Sequence, residues 1–456
     1  MTGYLEALKE GLTGDPRTPL VFLCNFEVEQ HWARGFPGLP AAPFSLTGSL
    51  VTRMEELGAL LAGPDDHLVV QHPLDPEYLG YVRSLGMPPP TVLVADGGEA
   101  GAPTAARALE SPRLLARLRE LGAAGARLVP MGLSAHEVRL SEAAGLPVAT
   151  PDLATVVAVN SKIYSRRLVE QAGLRAVPGW CCETVPELVE LLGRIGPDCS
   201  PEAPVVVKDA YGVSGKGLVV VDAPRKAERI VRQVERAAQR RGDDRLHVVV
   251  ETWLPKRADL NYQLTVLRDG GVRLDFVKEA LTVGGVHAGH LSPPELTAGQ
   301  LGEVENAAAV VGKQLHADGF HGIAGVDGLV TREGTVHPVL EINARFNMST
   351  YQGRVLETAG AGLPASLAGM QPLRLDRPLP FAELRAALGP LLEIDPVRGG
   401  VVVTCFGTVN TMAGHGSPFE GRLYTIALGP DRDAVTALAA RARGALDAHL
   451  TERTTR

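Results

Sequence analysis

The run Val339-Leu340-Glu341-Ile342-Asn343-Ala344-Arg345 alternates apolar and polar side chains with the period of a β-strand. Residues two apart on a strand share a face, so Glu341, Asn343 and Arg345 are expected to point the same way. Upstream, Gly325-Val326-Asp327-Gly328 reads as a second strand, and Arg332-Glu333-Gly334 as the turn of a hairpin joining the two. Asp327 can then join the other three. Three oxygen donors, Asp327, Glu341 and Asn343, suit Mg²⁺, which prefers hard ligands and completes its shell with water and phosphate oxygens. An ordinary amphipathic hairpin with a solvated polar face gives the same pattern, so the reading needs support from elsewhere in the chain.

Support comes from a glycine-rich segment further upstream. Val205 to Val221 reads as strand, turn and strand, with Lys208 at a strand end and Tyr211-Gly212-Val213-Ser214-Gly215-Lys216-Gly217 in the turn. Glycines in such a turn let backbone N–H groups surround phosphate oxygens, which makes Gly212, Ser214, Gly215, Lys216 and Gly217 candidates for that role. It is not a Walker A loop: Gly217 stands where that motif needs Ser or Thr, and a strand follows instead of a helix. An exposed hairpin tip is the plain alternative. The chain has eight lysines, and four of them, Lys162, Lys208, Lys216 and Lys278, fall where a nucleotide site would place compact charges. Val250-Glu251-Thr252-Trp253-Leu254 is a strand running into a loop that reaches Asp259; Glu251, Trp253 and Leu254 could present backbone groups and apolar walls to a base, and Asp259 an acid to ribose hydroxyls. A strand end with a buried Trp253 and surface acids competes with that reading. His287 and His290 have a spacing open to metal ligation, but a mobile substrate loop fits better.

Around this segment the chain divides into three. A length of 456 residues suggests two or three domains. In residues 1–150 short apolar runs at Leu20 to Cys24, His67 to Val70, Thr91 to Ala95 and Arg127 to Pro130 alternate with helix-like segments, the pattern of a Rossmann-like α/β domain with a parallel sheet. No G-x-G-x-x-G follows the first strand, so nicotinamide binding has little support. Residues 151–371 form the central, α+β part, with Ser161 expected to cap a helix that ends at Gly173. Residues 372–456 are expected to form a small C-terminal α/β domain, the boundary set by the prolines between Pro372 and Pro380.

Composition excludes several classes. A formal charge of −7 provides no basic field to gather nucleic acid. No apolar run approaches the roughly 18 residues of a membrane span, and Glu6, Lys9 and Glu10 interrupt the N-terminus where a signal peptide would be apolar, so a cytoplasmic protein is expected. Five cysteines without C-x-x-C spacing argue against a disulfide framework and a zinc site. A homo-oligomer is compatible with the sequence and nothing in it specifies one.

Taken in order, Lys162, Lys208 with the glycine loop, Glu251 to Asp259, Lys278, Asp327 and Glu341-x-Asn343-x-Arg345 resemble the nucleotide site of the ATP-grasp carboxylate-amine ligases, over residues 155 to 355. The resemblance implies ATP held between two α+β subdomains, with Lys162 and Lys208 near the α and β phosphates, the 212–217 loop closing over them, Mg²⁺ on Asp327, Glu341 and Asn343, and Lys278 and Arg345 in catalytic positions. Asn343-Ala344-Arg345 departs from the frequent Asn-Pro-Arg form, which bears on the path of the following turn. The three-part layout is similar to peptide ligases of antibiotic biosynthesis, and implies an amino acid carboxylate joined to an amine or peptide acceptor.

Overall fold

The computed structural model describes residues 3–40, 48–99, 101–212, 217–283, 286–414 and 416–455. Strands Leu20–Leu23, His67–Val70, Thr91–Val94 and Arg127–Pro130 pair in parallel, the first strand lying between the second and the fourth. Leu20, Val21, Phe22 and Leu23 are all fully buried, as expected where helices cover both faces of a parallel sheet. Helix Pro76–Ser84 shows how the intervening helices start: Asp75 accepts hydrogen bonds from the Glu77 and Tyr78 amides, and Pro76 occupies the first turn, where its missing N–H costs nothing. The Rossmann-like expectation holds.

A small antiparallel sheet follows, built from Gly179–Thr184, Arg245–Thr252, Val205–Asp209 and Leu218–Val221 in that spatial order. Helices Val185–Ile195 and Pro224–Arg241 cover one face, where Leu188, Ile230 and Val234 pack on Val207, Val248 and Val250. Because alternate residues face opposite ways, Lys208 and Glu251 are left on the other face.

The third sheet has eight strands. Val336–Asn343, Gly322–Thr331, Lys256–Val266, Val272–Val283 and Val286–Ser292 are neighbours in that order, and Ala365–Leu375, Phe419–Gly429 and Gly400–Cys405 continue the same sheet. Helix Ala298–Ala317 buries Val304, Ala307, Ala308, Val311 and Leu315 against Tyr262, Leu264, Val326 and Ile342. At roughly 1.5–3 kcal/mol for each large apolar side chain removed from water, this layer is a main source of stability. The face turned away from that helix is polar and nonetheless covered: Asn261, Gln263 and Thr265 are buried there.

The expected boundary at 371/372 falls inside the strand Ala365–Leu375, which is paired along its whole length with Phe419–Gly429. The proline signal is explained by position. Val286–Ser292 borders this strand only from Ser366 to Gly369, so Pro372 lies beyond the paired stretch on that side and its lack of an N–H is tolerated. Helices Phe381–Leu388 and Arg432–Thr455 cover these last strands and share a core with Tyr78 and Tyr81 of the N-terminal domain. Among the described residues no helix is long and apolar enough to cross a membrane, and the five cysteines are free thiols.

Candidate functional site

The polar face of the large sheet brings the sequence-derived residues together. Asp327 lies directly opposite Glu341, and Gly325 opposite Asn343. Asn343 Nδ2 donates to Asp327 Oδ2 at 3.0 Å, and Asn261 Nδ2 donates to Asp327 Oδ1 at 2.8 Å. Burial, and then the nearby Glu341, push the Asp327 carboxyl up to about 7, against the pull of the two amides and Lys162. Two carboxylates forced together, with an amide oxygen beside them, form a donor set that fits Mg²⁺. Among the described residues no group of three His, Cys, Asp or Glu side chains forms a metal cage, so Asn343, solvent and a phosphate would have to complete the shell.

Two lysines converge on this end of the sheet. Ser161 caps helix Lys162–Gln171 through the Ile163 amide, which sets Lys162 in the first turn. A cation there opposes the helix dipole, and Lys162 is held by outside partners instead: Nζ donates to Glu341 Oε1 at 2.6 Å and to the Gly212 carbonyl at 2.9 Å. Lys208 Nζ donates to Glu251 Oε2 at 2.5 Å, and Arg166 Nη1 approaches the other Glu251 oxygen at 3.3 Å. The Glu251 side chain is therefore committed to two cations, and what it can offer a base is backbone. Trp253 is exposed, contrary to the buried alternative, and Leu254 is half-buried. Asp259 accepts from Lys256 and, at 3.1 Å, from Thr282.

Of the glycine turn, Gly212 and Gly217 are described, while Ser214, Gly215 and Lys216 lie outside the described residues. Gly217 has a φ of +76°, and a Cβ there would fall 2.4 Å from an Asp209 carboxylate oxygen, so glycine is required on two counts. Asp209 also accepts the Leu39 amide at 2.6 Å, tying the base of the turn to the N-terminal domain.

Two expected positions need correction. The strand ends at Asn343, so the two-residue alternation does not extend to Arg345. Arg345 instead lies in a bend, donating to Phe346 O at 2.9 Å, to Asn343 Oδ1 at 2.9 Å and to Glu29 of the N-terminal domain. It touches one candidate metal ligand, Asn343, while pinning the contact with the N-terminal domain, and burial lowers its pKa to about 10. His287 and His290 were expected in a loop; they lie on strand Val286–Ser292 with ring centroids 4.5 Å apart. Lys278 stands apart from the other lysines: it is fully buried, and its Nζ donates to Gln352 Oε1 at 2.7 Å. Asn261, Gln352, Arg166 and Glu29 join the site without having been singled out. Each is brought in from a distant segment, and only the i+2 rule applied outward from Asp259 could have flagged Asn261.

Comparison with known proteins agrees with the architecture. Residues 54–146 match the pre-ATP-grasp domain family. A [butirosin acyl-carrier protein]–L-glutamate ligase of Niallia circulans is 26% identical over 206 residues, 45% of this chain and 48% of the relative, so the match spans about half that relative's length. Among solved structures, N5-carboxyaminoimidazole synthetase from Staphylococcus aureus superposes with a TM-score of 0.51 at 13% identity, covering 94% of this chain and 98% of that one. Biotin carboxylase from Campylobacter jejuni gives 0.53 at 14% identity, with 92% and 89% covered.

Proposed function

We propose that the chain is an ADP-forming carboxylate-amine ligase of the ATP-grasp fold. The observation that carries this reading is the Asp327, Glu341 and Asn343 set with Lys162 bonded to one of its carboxylates. In this reading Lys162, Lys208 and the 212–217 turn hold the ATP phosphates, the Trp253–Leu254 backbone and Asp259 hold the nucleoside, and Asp327, Glu341 and Asn343 hold Mg²⁺. The cation supplies charge neutralisation on the transferring phosphoryl group. Arg345, beside Asn343, would steady the acyl phosphate formed from the substrate carboxylate, and an amine would displace phosphate from it.

The finer reading is a peptide ligase, joining an amino acid carboxylate to a peptide amine. It is supported by the three-part layout, which resembles the peptide ligase of pheganomycin biosynthesis, and by the kind of relative found, a ligase named for an amino acid and a butirosin carrier protein. A free amino acid or ammonia as acceptor is the rival within the same chemistry. A nucleotide-binding regulator without turnover is the rival outside it, and ADP release that requires both a carboxylate and an amine separates the two.

The mechanism is tested by isotope. Ligation through an acyl phosphate transfers one carboxylate oxygen to inorganic phosphate, so an ¹⁸O-carboxylate is expected to yield labelled phosphate and unlabelled ADP by mass spectrometry. AMP as the product would overturn this mechanism. The phosphate contacts are tested by Lys208→Ala, expected to weaken ATP binding and turnover together by roughly 10- to 100-fold, the loss of a charge-assisted contact present before and during transfer. Calorimetric ATP titration and steady-state rates read both; unchanged values would make Lys208 only the structural partner of Glu251.

A further inference from the structure

Lys278 differs from Lys162 and Lys208 in its surroundings. Those two pair with carboxylates, Glu341 and Glu251. Lys278 is 1% exposed and, among the described residues, has no anionic partner; its Nζ meets the Gln352 carbonyl and lies 4.3 Å from the centre of the Phe276 ring. The titratable groups around it are His290 and His287 on one neighbouring strand and Asp259 on the other, where it lies opposite Ala280. The turn Thr350–Gln352 contributes an amide, and Glu279, on the opposite face of the same strand, is paired with Arg432.

Gln352 is held in one orientation. With its Oε1 accepting from Lys278, its Nε2 is the end left to donate, and it faces His290 Nδ1 at 3.3 Å. That contact needs an unprotonated Nδ1. Burial, and then His287 and Lys278, hold His290 well below its usual range, so the ring stays neutral and the amide keeps its carbonyl toward Lys278. Burial alone brings Lys278 down to about 7. A lysine in this state is poorly suited to gripping phosphate, and well suited to accepting a proton near neutral pH.

Its position fits that chemistry. Asp327, Asn261 and Lys278 are register neighbours on three adjacent strands and share the polar face. Two strand spacings put the Lys278 backbone roughly 10 Å from that of Asp327, on the side away from Glu341 and Lys162. A carboxylate activated at the metal end would receive its amine from this side.

We propose that Lys278, positioned by Gln352, takes a proton from the ammonium of the acceptor amine so that the amine can attack the acyl phosphate. The proposal deepens the ligase reading and rests on it. Nζ keeps one N–H on the Gln352 carbonyl, and its lone pair accepts the first proton to become an ammonium. The freed nitrogen lone pair forms the C–N bond, the acyl C–O bond to phosphate breaks with its electron pair leaving on phosphate, and the second N–H proton departs with the phosphate. Lys278 is the catalytic group; Gln352 and His290 act through it.

The test compares two nucleophiles. The twenty common amino acids, offered together with ATP and Mg²⁺, supply carboxylates and ammonium acceptors; added hydroxylamine, uncharged at neutral pH, captures acyl phosphate without prior deprotonation. Lys278→Met is expected to lower the dipeptide-to-hydroxamate ratio about 100-fold, the lower range for general base catalysis. Gln352→Leu is expected to shift the pH profile of dipeptide formation while hydroxamate formation keeps its own, and Gln352→Asn to restore it in part. An unchanged ratio, with both products falling together, would overturn the proposal and leave Lys278 in an earlier step. A wild-type protein that makes neither product would sink the ligase reading instead. A measurement without substrates keeps the matter decidable: in ¹³Cε-lysine spectra assigned with Lys278→Met, the Lys278 signal is expected to titrate about 7, and a Lys278 that stays charged above pH 9 overturns its role as base.

Discussion

Glu341→Gln is expected to lower ADP-forming turnover by at least about 1,000-fold, the scale of losing a ligand to a cation that offsets transition-state charge. Its melting temperature in the absence of Mg²⁺ should be unchanged or higher. The carboxylate is directly opposite Asp327 and contributes to raising that group's pKa, so the neutral amide removes a repulsion as well as the Lys162 ion pair. Turnover and a thermal melt on the same preparation separate the two effects. A variant that turned over normally would remove Glu341 from the metal site, and one that failed to fold would assign it to structure.

Asp327→Asn is expected to cost activity to a similar degree and to stabilise the metal-free protein at alkaline pH. The Asp327 pKa is raised in the folded state from 3.8 to about 7, so the unfolded chain releases this proton more readily. The stability linked to that proton is fully present below the unfolded value, and is lost as pH rises through the folded one. Without Mg²⁺ the wild-type protein should therefore melt at a lower temperature at pH 8 than at pH 6, and the asparagine variant should lack that part of the dependence. At pH 8 the variant should melt roughly 2–4 °C higher, the shift that about 1 kcal/mol makes in a domain of 150–250 residues. An equal or lower melting temperature would mean that the carboxylate is already compensated.

These two residues were legible because the sequence rule that finds them is local. A turn at Arg332 to Gly334 and a two-residue period suffice to put Asp327 and Glu341 on one face, the register irregularity between Asp327 and Leu329 then setting them directly opposite, and the capping serine likewise places Lys162 at a helix start. The rule failed where the period stopped. Arg345 follows the last paired residue, and its direction is decided by Glu29, more than 300 positions away. Gln352 was invisible for the same reason: a glutamine in a turn carries no signal until a distant loop brings it against Lys278, while Asn261 had only its i+2 relation to Asp259 to mark it before the sheet register set it against Asp327. The expected C-terminal boundary falls inside a strand because proline marks missing N–H bonds, and a strand lacking a neighbour on one side has them to spare.

The continuity of the large sheet sets an order on the birth of the molecule. The N-terminal sheet receives its last strand at Pro130, and the small sheet its last at Thr252, so both can close while the rest of the chain is still being synthesised. The eight-stranded sheet cannot. Its first strand in chain order begins at Lys256, and its closing strands, Gly400–Cys405 and Phe419–Gly429, emerge after all the others. Until then the strand Ala365–Leu375 presents an unpaired edge, the kind of surface that recruits other chains. The nascent protein thus holds a finished small sheet beside an open one until Phe419–Gly429 pairs along Ala365–Leu375.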